Sequence, residues 1–142
     1  MATVELLLTP LPIHVRTARL VGVAAARRAG LGSELLDELR LAVGEACSRA
    51  VALHAVHAPD QAVQLLVRDD ATGLTVEVID HGPVSEQLPA GAGDLFADGD
   101  IDPRVSLAVI RGLVDDVTVT PAANGTSVLL RWPLVPAVPG AS

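Results

Sequence analysis

Glu45 and Arg49 lie four residues apart in a stretch reading Leu41-Ala-Val-Gly-Glu-Ala-Cys-Ser-Arg-Ala-Val51. On a helix that spacing puts both side chains on one face. A carboxylate held there can act as a general base or orient a hydroxyl for attack. A second stretch, Val76-Glu-Val-Ile-Asp-His-Gly82, closes an apolar run with an acid and a glycine. An acid at a strand end can accept a hydrogen bond from a ligand, and a glycine lets backbone come close to it. Two further stretches are candidates to complete a site: residues 106–116, opening on Ser106, and Asn124-Gly-Thr126.

Taken singly, each has an ordinary reading. A Glu–Arg pair four apart is commonly a surface ion pair. Asp80-His81-Gly82 is a normal strand-end turn. Asp94, Asp98, Asp100 and Asp102 lack the spacing and closing Glu of a calcium loop, so they read as a solvated acidic loop. His54 and His57 sit three apart with no third metal ligand, and they read as cations at a helix C-terminus. Ser48 has no His and Asp in a nucleophile arrangement. Cys47 reads as a packed core thiol, and His81 and Glu86 have no readable role. No metal is expected.

The elements that must position these residues follow from period and punctuation. Residues 3–8 read as a strand that Pro10 and Pro12 end. Residues 13–29 read as a helix with Val15, Leu20, Val23 and Ala24 as its apolar stripe and Gly30 as its stop. Ser33 reads as the N-cap of a second helix running to His57, with Leu35, Leu39, Ala42, Val43, Ala46, Ala50 and Val51 inward. The period then changes to 2. Val63, Leu65 and Val67, then Leu74, Val76 and Val78, read as a hairpin turned at residues 70–73. Residues 81–101 read as a long loop rich in glycine and acids. Asp102-Pro103 opens a third helix with Val105, Leu107, Ala108, Val109, Leu113 and Val114 inward. Val117 and Val119, then Val128, Leu130 and Trp132, read as a second hairpin turned at residues 123–125. The order predicts an α+β two-layer sandwich, a mostly antiparallel sheet with helices on one face. One domain is expected over residues 1–133, followed by a flexible Pro-rich tail over 134–142.

Composition removes several functions. The 142 residues are 50% hydrophobic and 19% charged, a globular balance with room for one core. A net charge of −7 disfavours bulk attraction to nucleic acid or anionic lipid. Every basic residue is Arg, so no lysine can serve a Schiff base or a P-loop. Phe96 and Trp132 are too few rings for a base-stacking platform. A single cysteine, no basic leader and no long apolar run point to a cytoplasmic chain outside the membrane, despite a mean hydropathy of +0.46.

Together these stretches resemble the anti-sigma-factor serine kinases, a small bacterial branch of the gyrase, chaperone and histidine kinase ATPase superfamily. Element order, Glu45-Ala-Cys-Ser48, Asp80-x-Gly82 and the closing Leu130-Arg-Trp-Pro133 fall in register over about residues 3–133. The resemblance implies the histidine kinase-like ATPase fold. It also implies Glu45 as the catalytic Glu, Asp80 as the adenine contact, Gly82 as the first glycine beyond it, and Thr126 as an aid to the base pocket.

The chain departs from the family pattern where phosphates and metal are held. The metal-holding Asn is Arg49, the second glycine of Asp-x-Gly-x-Gly is Val84, and the Gly-x-Gly opening the third helix is Arg104-Val-Ser106. A guanidinium has donors only and cannot ligate a cation. Arg49 is expected where Mg²⁺ would sit, beside Glu45 and competing for it. Phosphoryl transfer rests on positioning and metal electrostatics, so no cofactor is expected. The resemblance then implies a partner-switching regulator that binds a sigma factor, a STAS-domain antagonist, or both, with a homodimer possible. On the first helix Arg16, Arg19, Arg27 and Arg28 are the expected partner contacts. The alternative is an active kinase using ATP and Mg²⁺ to phosphorylate the antagonist.

Overall fold

A computed structural model describes residues 2–82, 103–122 and 124–133. Five strands and three helices follow in the order β1 (Ala2–Leu8), α1 (Ile13–Ala29), α2 (Ser33–His57), β2 (Val63–Asp70), β3 (Gly73–Asp80), α3 (Pro103–Leu113), β4 (Asp116–Ala122) and β5 (Gly125–Pro133). The sheet runs β1-β2-β3-β5-β4 and every pairing is antiparallel. Strand parity sends Val63, Leu65 and Val67 of β2, Leu74, Val76 and Val78 of β3, and Val128, Leu130 and Trp132 of β5 to the same buried face. The helices cover that face alone, which gives the two-layer α+β sandwich the patterning predicts. The long 81–101 loop, apart from His81 and Gly82, and the 134–142 tail lie outside the described residues. Among the described residues no helix is long and apolar enough to cross a membrane.

Gly30 stops α1 in the left-handed conformation, φ 91°, and its N–H reaches the carbonyls of Ala26 and Arg27. The short link to α2 makes the two helices antiparallel neighbours. A side chain at Gly22 would touch Leu39 and Val43, so the smallest residue of α1 lets α2 pack close. Four expected details change. Leu35, expected inward on α2, is exposed, and Leu36 packs against the core in its place. Gly32, not Ser33, is the N-cap of α2, without a side-chain hydrogen bond. The buried face of α1 is Val15, Ala18, Gly22, Val23, Ala25 and Ala26; Leu20 is 63% exposed and Ala24 is exposed too. Small residues and two valines make up the inward face of α1. On α3 the inward residue is Ile110, fully buried with Val114, while Ala108 and Val109 face out. Leu107 and Leu113 are half-buried beside it.

Gly125 opens β5 directly against the end of β3. A Cβ there would overlap the Asp80 carbonyl oxygen and come within 2.8 Å of its carbon. Only a glycine lets the second hairpin lie this close to Asp80 and His81.

Candidate functional site

The site gathers where the C-terminal half of α2 crosses the ends of β3 and β5. Arg49 follows Ala42, Ala46 and Cys47 on the inward face of α2 and is 1% exposed. Asp80 continues the parity of Val76 and Val78 and is equally buried. The two meet directly: Arg49 Nη1 donates to Asp80 Oδ2 over 2.8 Å. Burial lowers the Arg49 pKa from its ordinary value, and the Asp80 charge and hydrogen bond pull it back up. The other carboxylate oxygen, Oδ1, accepts the N–H of Gly82 at 3.0 Å.

This corrects one expectation. Arg49 does not compete for Glu45; its guanidinium is on Asp80. Glu45 is half-buried on α2 and makes no ion pair among the described residues. The reason is desolvation. A buried charge needs a buried counter-charge, and Asp80 is the acid that parity places on the core face. The signal was legible in the sequence: an Arg among Ala46, Cys47 and Ala50 calls for an inward acid, and Asp80 is the inward acid of β3.

Thr126 lies opposite Asp80 in the β3–β5 register and is 3% exposed. Its hydroxyl has no hydrogen-bond partner among the described residues. Thr126, Asp80, His81, Ile79 and Asn124 line a cavity of about 320 Å³ at this corner. The structure therefore brings Asp80, Gly82, Arg49 and Thr126 together. Val84 lies outside the described residues, and Arg104 and Ser106 are placed only as backbone of α3.

His54, expected as a cation at a helix end, is instead a fully buried crosslink. Its Nδ1 is 2.8 Å from the carbonyl oxygen of Gln61, and its Nε2 accepts the N–H of His81 at 2.7 Å. The His81 ring packs near it, centroids 5.7 Å apart. Sequence spacing could not show this, because the contacts join residues 7 and 27 positions away. Among the described residues no cluster of three or more His, Cys, Asp or Glu could hold a metal.

Away from this corner, Arg16, Arg19, Arg27 and Arg28 are exposed on α1, a helix without any acidic residue. Arg19 stands apart: its guanidinium lies against the α2 backbone at Gly44, Nη2 2.8 Å from where a Cβ would be. Cys47 is buried, and burial pushes its thiol up to about 12, with Arg19 opposing.

The fit to a nucleotide and its metal can be tested on these side chains. A carboxylate with no exposed surface, held by Arg49 on one oxygen and by the Gly82 N–H on the other, is not open to an adenine amino group in this arrangement. A guanidinium where the resemblance places the metal ligand would repel Mg²⁺. Those residues do not fit the group. The Thr126 hydroxyl and its cavity are compatible with a base.

A family model for the histidine kinase-like ATPase domain matches residues 8–132. No curated protein matches the chain.

Proposed function

We propose, for a chain that belongs to the histidine kinase-like ATPase family, that it acts as a binding module rather than a kinase: an anti-sigma-factor-like regulator in partner switching. It takes a sigma factor, a STAS-domain antagonist, or both, and its nucleotide affinity is lost or very weak. The observation that carries this reading is the Arg49–Asp80 pair, 2.8 Å long and closed to solvent. It occupies the acid that the family resemblance assigns to adenine, and it does so with a cation where that resemblance places a metal ligand. The scaffold around it is intact, so what remains is a folded surface. On that surface the acid-free α1, with Arg16, Arg27 and Arg28 outward, offers a basic face on a chain of net charge −7. A partner with an acidic docking face suits it, through steering and register more than through raw affinity. The remaining acidic surface suits a sigma factor's basic helices.

One observation favours the second reading, an ATP-dependent serine kinase acting on the antagonist. Among the described residues the Thr126 hydroxyl is buried, without a partner and beside a cavity, and Glu45 is not tied up in an ion pair.

Titration calorimetry with ATP and Mg²⁺ separates the two. The wild type is expected to show no metal-dependent binding, and the combined Arg49→Asn, Val84→Gly, Arg104→Gly and Ser106→Gly protein is expected to gain it. Metal-dependent micromolar binding by the wild type overturns the module reading. Pull-down against purified sigma factors and STAS-domain proteins tests the partner class, and binding to neither kind would refute it.

A further inference from the structure

We propose that His54 is an acid-releasable latch: neutral, it holds the end of β3 against α2, and once protonated it lets go of His81. The tautomer follows from the partners. Nε2 faces the His81 N–H at 2.7 Å, so it carries a lone pair. Nδ1 lies 2.8 Å from the Gln61 carbonyl oxygen, so it carries the hydrogen and donates it. Both nitrogens are used, and the ring is neutral.

A second proton has one place to go, Nε2. That turns the acceptor into a donor aimed at another N–H, and the contact becomes repulsive. The ring has no exposed surface, so water cannot take the new hydrogen while the fold stays closed. Arg49 is on the same helix, and the His81 ring packs 5.7 Å away. By chain position, His57 on α2 and Asp60 on the link to β2 flank His54, and Asp80 on β3 precedes its partner His81. Asp80 adjoins His81 in the chain, and Arg49 already pairs with it.

The latch is one of three contacts that α2 makes with the strand exit. Arg49 holds Asp80, His54 holds the His81 backbone, and Leu53 packs so closely on Gly82 that a Cβ there would lie 3.1 Å from it. Only the middle contact depends on an acceptor that a proton can remove within the range where histidines serve as switches. Acid therefore loosens the segment carrying Asp80 and Gly82 while the sheet behind it stays formed.

Amide hydrogen exchange by NMR on the intact chain tests this, with rates corrected for the intrinsic effect of pH. Between pH 7.5 and 5.5 the protection of the His81 amide is expected to fall by about tenfold or more, while the Val76 and Leu130 amides keep theirs. His54→Gln supplies an acceptor that does not titrate and is expected to remove the pH dependence. His81→Asn removes the neighbouring ring and is expected to leave it. Long-range nitrogen–proton spectra should show His54 with its hydrogen on Nδ1 at pH 7.5. Undiminished His81 protection at pH 5.5, the opposite tautomer, the same loss in His54→Gln, or its disappearance in His81→Asn would each overturn the proposal. If His54→Gln does not fold, the wild-type and His81→Asn measurements still decide it.

Discussion

Arg49 on α2 and Asp80 at the end of β3 are 31 residues apart in the chain and 2.8 Å apart in the fold, with neither side chain in contact with solvent. A pair like this contributes little net stability compared with apolar residues of the same shape, because both ions are desolvated. Its removal from one side is another matter.

Asp80→Ala removes the carboxylate that Arg49 pairs with in the core and frees the Gly82 N–H. Unfolding by urea, followed by circular dichroism, should show a loss of about 3–5 kcal/mol. The exposed pair Arg68–Glu77, 3.8 Å long, is the comparison: Arg68→Ala should cost at most about 1 kcal/mol. Equal losses in the two variants would mean that the buried pair is not the anchor described above.

Gly125→Ala and Gly44→Ala both add one methyl group, with different consequences. At Gly125 the methyl meets the Asp80 backbone, which cannot move without shifting β3. At Gly44 it meets the tip of Arg19, a flexible side chain that can swing away. Gly125→Ala should lose about 3 kcal/mol or more, whereas Gly44→Ala should lie within about 1 kcal/mol of wild type, helped by alanine's helix propensity. Thermal melts of the two proteins side by side check this.

Cys47 predicts the alkaline limb of stability. Its folded thiol stays protonated up to about pH 12, whereas an unfolded cysteine gives up its proton at about pH 8.5. Between those values the unfolded state binds fewer protons than the folded one, so stability falls as pH rises. The slope from this group approaches about 1.4 kcal/mol per pH unit. Cys47→Ala should flatten that part of the curve in urea melts from pH 8 to 11. In the native protein, a thiol reagent should react with Cys47 far more slowly than with free cysteine.

Helix α3 offers a test of facing. Ile110→Ala should cost about 2–5 kcal/mol, because the site is sealed and a cavity remains. Val109→Ala, at a side chain 40% exposed, should cost less than about 1 kcal/mol. Reversed magnitudes would mean that α3 is rotated from the orientation described.

The sequence by itself determined the order of elements and the sheet's buried face. Val63, Leu65 and Val67 recur at period 2, set off by Gln64, Leu66 and Arg68, a pattern that suits a strand with one face covered. Gly30, Pro59 and Asp102-Pro103 punctuate helices by local sterics that need no tertiary partner. It also determined which residues were chemically unusual: an Arg at an inward helix position, an acid ending an apolar strand, a threonine beside Asn124-Gly125. Only the tertiary structure decided who partners whom. Arg49 can reach Glu45 by helix geometry and Asp80 by folding, and nothing local chooses between them. The choice is made by desolvation, which acts once α2 lies on the sheet and a charge on its inner face must find its counterpart there. The same holds for His54, whose partners, the Gln61 carbonyl and the His81 N–H, arrive from two other parts of the chain.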